Sequence, residues 1–142
     1  MSAHRRYSSG GPYEATVGYS RLVVAGRQGW TAGCTAIVDG QVVGEGDAHA
    51  QAAAAFGVGV RALELAGFAL ADVVQTRMYV VDLPAHADAV GRAHGALFAG
   101  VLPAATMVGV AALIDPRLLV EVELVAVRDE PAEPPEAVSE GS

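Results

Sequence analysis

The sequence predicts an α+β sandwich in which one β-sheet packs against two helices, and three observations carry that prediction. Short apolar runs bounded by turn residues recur in the first and last thirds of the chain, the pattern of strands. Two longer stretches, with apolar residues three or four apart, have the length and period of amphipathic helices. The resulting order, β-β-β-α-β-α-β-β, groups strands and helices in segregated runs, which points to α+β.

Residues 1–16, rich in Ser, Gly and Arg, read as a flexible N-terminal segment, and 17–128 as the folded domain. Residues 129–142, rich in Pro, Glu and Ser, read as a disordered acidic tail. Within the domain, residues 22–25 form a short apolar run ended by Gly26, and residues 29–36 resume after Arg27 and Gln28, which suggests a hairpin. Ile37 and Val38, the Asp39-Gly40 turn, and residues 41–43 mark a further short strand pair. Asp47 is placed to cap a long helix over residues 48–66 that closes at Gly67. Gly57 and Gly59 each weaken that helix by about 1 kcal/mol relative to alanine, so both are expected where it approaches the sheet closely. Residues 72–82 follow as a strand. Pro84 suits the first turn of a second helix running through His94, Leu97 and Phe98 to Gly100. Two strands, 105–113 and 118–127, are divided by an Asp115-Pro116 turn.

Composition narrows the function classes. Hydrophobic residues make up 52% of 142 and charged residues only 18%, so part of the surface is expected to be covered by another subunit. No apolar stretch reaches the roughly 18 residues of a membrane span and no apolar signal core follows the N-terminus, so a cytoplasmic protein without membrane contact is expected. One cysteine, Cys34, excludes an internal disulfide, and no paired Cys/His spacing suits zinc, so no metal is expected. All nine basic residues are arginines, and the net charge is −7, which argues against nucleic acid as a partner. The lack of lysine excludes Schiff-base catalysis by a side-chain amine.

The chemistry-bearing feature is Val120-Glu121-Val122-Glu123-Leu124 in the last strand. Alternation sends both glutamates to one face and the apolar residues to the other. A carboxylate removed from water without a partner costs several kcal/mol, so this face is either wet or supplied with a donor or ligand.

Several segments together resemble the reactive-intermediate deaminase family, the Rid or YjgF-like proteins. They are Gly18-Tyr19-Ser20-Arg21, Thr31-Ala32-Gly33, Ala66-Gly67, Asp72-Val73-Val74-Gln75-Thr76-Arg77-Met78-Tyr79-Val80, Pro103-Ala104-Ala105-Thr106, and Val120-Glu121-Val122-Glu123-Leu124-Val125-Ala126-Val127. The resemblance runs from about Gly18 to Arg128. It implies a chorismate-mutase-like fold of the bacillus type, a mixed β-sheet packed against two helices. It further implies a homotrimeric barrel with a small-molecule ligand in each inter-subunit cleft, and no cofactor. In the best-known branch such proteins hydrolyse enamines and imines, among them 2-aminoacrylate, to a keto acid and ammonia.

Carried over residue by residue, the water-positioning glutamate falls on Glu121 and the cleft tyrosine on Tyr19. The carboxylate-clamping arginine position holds Ala105, the serine position Ala32, and a helix position often asparagine holds Gly91. The chain is thus similar to a divergent branch without the clamp, whose bidentate contact is worth roughly 1.5–3 kcal/mol. A substrate other than 2-aminoacrylate is expected, with the small residues opening the cleft. Glu123 is expected to be structural and paired to an arginine. Arg77 is a candidate replacement cation or, equally, an interface ion pair. Cys34 is a candidate cleft thiol or an inert buried hydrophobe. Met107 and Trp30 would widen the apolar part of the pocket or simply fill core, and His94 with Phe98 would pack helix on sheet, His94 acting instead as an acid or base if it lines the cleft.

These residues leave three readings open. One is an imine or enamine hydrolase using Glu121 and Tyr19. Another is a non-catalytic small-molecule-binding or interaction protein on the same trimer. The third is an endoribonuclease, a name attached to some members of the family and disfavoured by the acidic composition.

Overall fold

A computed structural model describes residues 4–130. From residue 131 onward, the acidic tail expected from sequence lies outside the described residues. The strands are β1 (His4–Tyr7), β2 (Leu22–Ala25), β3 (Gln28–Thr31), β4 (Ile37–Val38), β5 (Gln41–Val42), β6 (Val73–Val81), β7 (Ala104–Val110) and β8 (Val120–Val127). The helices are α1 (Ala48–Leu65), between β5 and β6, and α2 (Leu83–Phe98), between β6 and β7. Six strands form one mixed sheet in the order β1-β2-β3-β8-β6-β7, with β6 and β7 parallel and the other neighbours antiparallel. The parallel pair requires a crossover, and α2 is that crossover. β4 and β5 form a separate hairpin around Asp39 (φ 52°) and Gly40 (φ 79°), the left-handed pair that an Asp-Gly turn supplies.

Both helices cover one face of the sheet. β8 alternates strictly, with Val120, Val122, Leu124 and Ala126 buried beneath the helices and Glu121, Glu123 and Val125 on the opposite face. On α1, Ala52, Ala55, Phe56, Gly59 and Leu63 face inward at helical spacing. Phe56 meets Phe98 of α2 edge to face, with ring centroids 5.5 Å apart. His94 completes a triangle with them, its ring centroid 5.5 Å from that of Phe56 and 4.8 Å from that of Phe98, and is hydrogen-bonded to Thr76 of β6 at 2.9 Å, so the expected helix-on-sheet packing of His94 and Phe98 is present.

Cap chemistry fixes α1 at both ends. The Asp47 carboxylate accepts from the Ala50 N–H at 3.0 Å. At the other end, the Gly67 N–H donates to Glu64 O and the Phe68 N–H to Leu63 O, a Schellman closure that needs Gly67 at φ 94°. Gly59 does allow close packing, because a Cβ there would stand 2.8 Å from Leu124 Cδ1. Gly57 does not serve that purpose: the nearest atom to its virtual Cβ is Arg61 Nη1 of the same helix, at 3.2 Å.

Other expectations shift. Over residues 4–16 the N-terminal segment is not loose: His4–Tyr7 pairs with Leu22–Ala25, and a π-helical turn spans Glu14–Gly18. The edge strand gains its order from backbone pairing, which polar residues permit as well as apolar ones. The first hairpin turns at Gly26 and Arg27, with Gln28 already in β3. The strand expected to run to residue 36 stops at Thr31, and β7 stops at Val110. Trp30 is not core but 39% exposed on the face without helices, and it does not line the Glu121 cleft of its own chain.

Candidate functional site

The break after Thr31 builds the site. Carrying the β3–β8 register onward from Trp30↔Val125 would set Gly33 opposite Val122, yet Cys34 takes that place. One extra residue is therefore accommodated at Ala32 and Gly33, a bulge of the kind that re-aims side chains beside clefts. Its backbone is held on both sides. The Leu124 N–H donates to Thr31 Oγ1 at 3.0 Å, and Cys34 and Val122 exchange backbone bonds of 2.7 and 2.9 Å. Ala32 N–H donates to Arg21 O at 2.9 Å, and the Arg21 guanidinium donates to Gly33 O at 2.5 Å.

Glu121 lies over this bulge. A Cβ on Gly33 would be 1.8 Å from Glu121 Oε2, so only glycine leaves room for the carboxylate. Among the described residues Glu121 makes no hydrogen bond or ion pair. Burial pushes its pKa above the ordinary carboxylate value, the nearby Glu123 charge adds to the rise, and Arg21 opposes it. Glu123 is committed elsewhere: it accepts from Tyr79 Oη at 2.7 Å and stands 3.8 Å from Arg77 Nη1. The structural, arginine-paired Glu123 expected from sequence is what the geometry gives.

Glu121 opens into a cleft of about 1030 Å³, shared with Tyr19, Ala32, Gly33 and Arg21 and continuing along α1. The first wall is the N-terminal segment. Glu14 is buried and accepts from Ser8 Oγ (2.7 Å), Ser9 Oγ (2.5 Å) and the Ser9 and Gly11 N–H groups. Burial works to raise its pKa, but these donors outweigh it and hold the carboxyl below its usual range. Arg21 approaches Glu14 to 4.0 Å, donates to Ser9 Oγ, and lies 5.8 Å from the Tyr19 ring centroid. Arg21 thus lines the cleft and Glu14, behind its wall, ties Ser8, Ser9 and Gly11 together, a pair that sequence reasoning did not single out. The available signal was an acidic residue three positions after Ser-Ser-Gly-Gly, a run rich in donors.

The sequence-selected residues fall into separate places. Glu121, Tyr19 and Ala32 meet in the cleft. Cys34 is fully buried behind it, its thiol bonded to Ala32 O at 3.3 Å, and burial pushes its pKa up despite Arg21. Arg77 lies on the sheet face with Glu123. Ala105 pairs with Thr76, and Met107 with Met78, which puts both on the helix-side face of edge strand β7; β6 separates that strand from β8. Gly91 sits exposed on α2, with open space around it. Ala105, Met107 and Gly91 do not line the Glu121 cleft of their own chain. Among the described residues no cluster of three or more His, Cys, Asp or Glu could hold a metal, and no helix is long and apolar enough to cross a membrane.

Comparison with known proteins agrees with this architecture. Residues 11–128 match the family model described as Endoribonuclease L-PSP. The uncharacterized protein SCO2049 of Streptomyces coelicolor is 42% identical over 126 residues, covering 89% of this chain and 93% of its own. The crystal structure of Rv2704 from Mycobacterium tuberculosis, a member of the YjgF/YER057c/UK114 family, is 41% identical with a TM-score of 0.79, covering 88% of this chain and 99% of that one. YyfB of Yersinia pestis, from the Rid protein family, is 34% identical with a TM-score of 0.67, covering 89% and 100%. With its mixed sheet on two helices matching these chorismate-mutase-like structures, the chain belongs to the YjgF/YER057c/UK114, or Rid, family.

Proposed function

We propose that this protein hydrolyses an imine or enamine in a cleft completed by a second copy of the chain, with Glu121 handling the water. The observation that carries the reading is the Glu121 carboxylate itself: directed into a cleft, without a hydrogen bond or ion pair among the described residues, and with its pKa raised by burial. In its ionised form it takes a proton from water as the water oxygen bonds to the C=N carbon. Returning that proton to nitrogen gives a carbinolamine. Transfer of its hydroxyl proton to nitrogen through the same carboxylate then lets the C–N bond break as the C=O bond forms, which releases ammonia and leaves a carbonyl. Tyr19 is positioned to hydrogen-bond the substrate. No step calls on a metal or an organic cofactor.

The shared cleft rests on where the small residues lie. Ala105 and Gly91 are exposed at the β7–α2 edge, whereas Glu121 belongs to the opposite sheet face. They can join one cleft only if the β7 edge of one copy reaches the β8 face of another. The exposed Trp30, Val74 and Val108, at 39, 45 and 40%, give that face apolar area for a neighbour to cover. A homotrimer closing these faces into a barrel satisfies both requirements. Alanine at 105 removes a guanidinium from the cleft, so 2-aminoacrylate is not the favoured substrate. The RNA-cleaving activity in the family model's description has little electrostatic support in a chain of net charge −7.

Ammonia release from freshly generated imines, measured with native protein and Glu121→Gln of equal oligomeric mass, tests the reading. Acceleration by the native protein alone is expected. Equal rates would leave a binding protein on the same scaffold.

A further inference from the structure

One wall of the cleft carries a charge that the hydrolytic reading does not use. Val58, Arg61, Ala62 and Leu65 line the cleft from α1, a spacing of three, one and three that makes a single helical stripe beside the core-facing one. Arg61 is exposed on that stripe and has no hydrogen bond or ion pair among the described residues, Asp39 of the same cleft included. The other cleft arginine, Arg21, is already occupied by Gly33 O, Ser9 and Glu14. Arg61 folds back along the helix over Gly57, where Nη1 comes within 3.2 Å of the position a Cβ would take. Gly57 leaves room for that guanidinium and packs against no core side chain.

We infer that Arg61 is a specificity-determining residue of this cleft, selecting a ligand with an anionic end, carboxylate or phosphate, remote from the carbon that faces Glu121. The inference rests on the cleft being the ligand site proposed above. Three features support it. An unpaired guanidinium offers a planar fork of donors suited to either anion. The walls of one chain alone enclose about 1030 Å³, just above the roughly 300–1,000 Å³ of small-molecule pockets, so the two ends of a ligand need not be adjacent. The lining that Glu121 and Arg61 share also includes Val58, Leu65 and Ile37, apolar side chains that suit a hydrocarbon part of the ligand. The lost cation at position 105 is thus replaced by one at a different place, and the favoured ligand is longer than an α-imino acid.

Three matched probes test this by titration calorimetry: 6-oxoheptanoate, its methyl ester, and 5-oxohexyl phosphate. Native protein is expected to bind at least one of the anions about tenfold or more tightly than the ester. Whichever anion binds more tightly identifies the group as carboxylate or phosphate. Arg61→Gln, an exposed substitution, should abolish the preference, and Arg61→Lys should keep part of it. Equal binding of ester and anions by native protein, or an undiminished preference in Arg61→Gln, overturns the inference. If the preference holds while ammonia release fails, the hydrolytic reading falls and the role of Arg61 stands. If ammonia release holds and Arg61→Gln changes nothing, the reverse is true.

Discussion

The carboxylate of Glu121 occupies the space that a side chain at position 33 would need, with Oε2 only 1.8 Å from where a Gly33 Cβ would be. The contact is with the far end of a flexible side chain, so Gly33→Ala should displace Glu121 more than it unfolds the protein. The expected outcome is a thermal midpoint within a few degrees of native and a fall of about tenfold or more in imine hydrolysis, since small misplacements of a reacting group cost that much. Parallel melting and ammonia-release measurements check it.

Glu121 also links pH to stability. Its folded pKa is raised, so as pH climbs past the unfolded value the unfolded chain releases this proton first, and stability falls until the folded group ionises as well. Glu121→Gln removes that loss. The variant should melt above native protein at neutral pH, with the advantage shrinking to nothing in acid below the ordinary carboxylate range. In activity, native protein should show an acid limb in kcat/KM above that range. Thermal melts and rates across pH measure both.

Cys34 should be chemically silent. It is fully buried, and burial raises its thiol pKa, so little thiolate exists at neutral pH and none is accessible. Iodoacetamide should leave the native protein unmodified by mass spectrometry and label it once in denaturant. Rapid labelling of the folded protein would return Cys34 to consideration as a cleft nucleophile.

Gln51 ties the approach to β8 onto α1. Fully buried, it accepts from the Leu119 N–H at 2.8 Å and donates to Arg117 O at 2.9 Å and Gly44 O at 3.2 Å. Gln51→Leu removes the partner of the Leu119 N–H and of Arg117 O, while Gly44 O keeps the Asp47 N–H at 2.8 Å, and a buried group left unpaired costs about 1–3 kcal/mol. Urea unfolding should show a loss of at least that size.

Much of the fold could be read from the chain because its signals are local. The Asp39-Gly40 turn, the Asp47 cap, the Gly67 closure and the alternation around Glu121 each depend on residues close in sequence, and each is present. What escaped depends on partners distant in the chain. His4–Tyr7 is ordered by pairing with β2, and nothing in His-Arg-Arg-Tyr announces that. The bulge at Ala32 and Gly33 exists only relative to the register of β8, some 90 positions later. Arg21 and Arg61 were passed over because neither value is local: one grips Gly33 and Glu14, the other is set by what α1 faces. Gly57 was misread for the same reason, since sequence cannot say whether a helical glycine meets the sheet or a neighbouring arginine.

The central claim is that Glu121 of one copy works with the Ala105 edge of another. Mixed oligomers of Glu121→Gln and Ala105→Trp subunits, co-folded in equal amounts and assayed for ammonia release, test it most directly. Each variant alone should be inactive, the first lacking its carboxylate and the second blocking its neighbour's cleft. Random mixing in a ring pairs an intact Glu121 with an intact Ala105 in about one quarter of clefts, so roughly one quarter of native activity should return. Activity no higher than that of either parent would contradict a shared cleft.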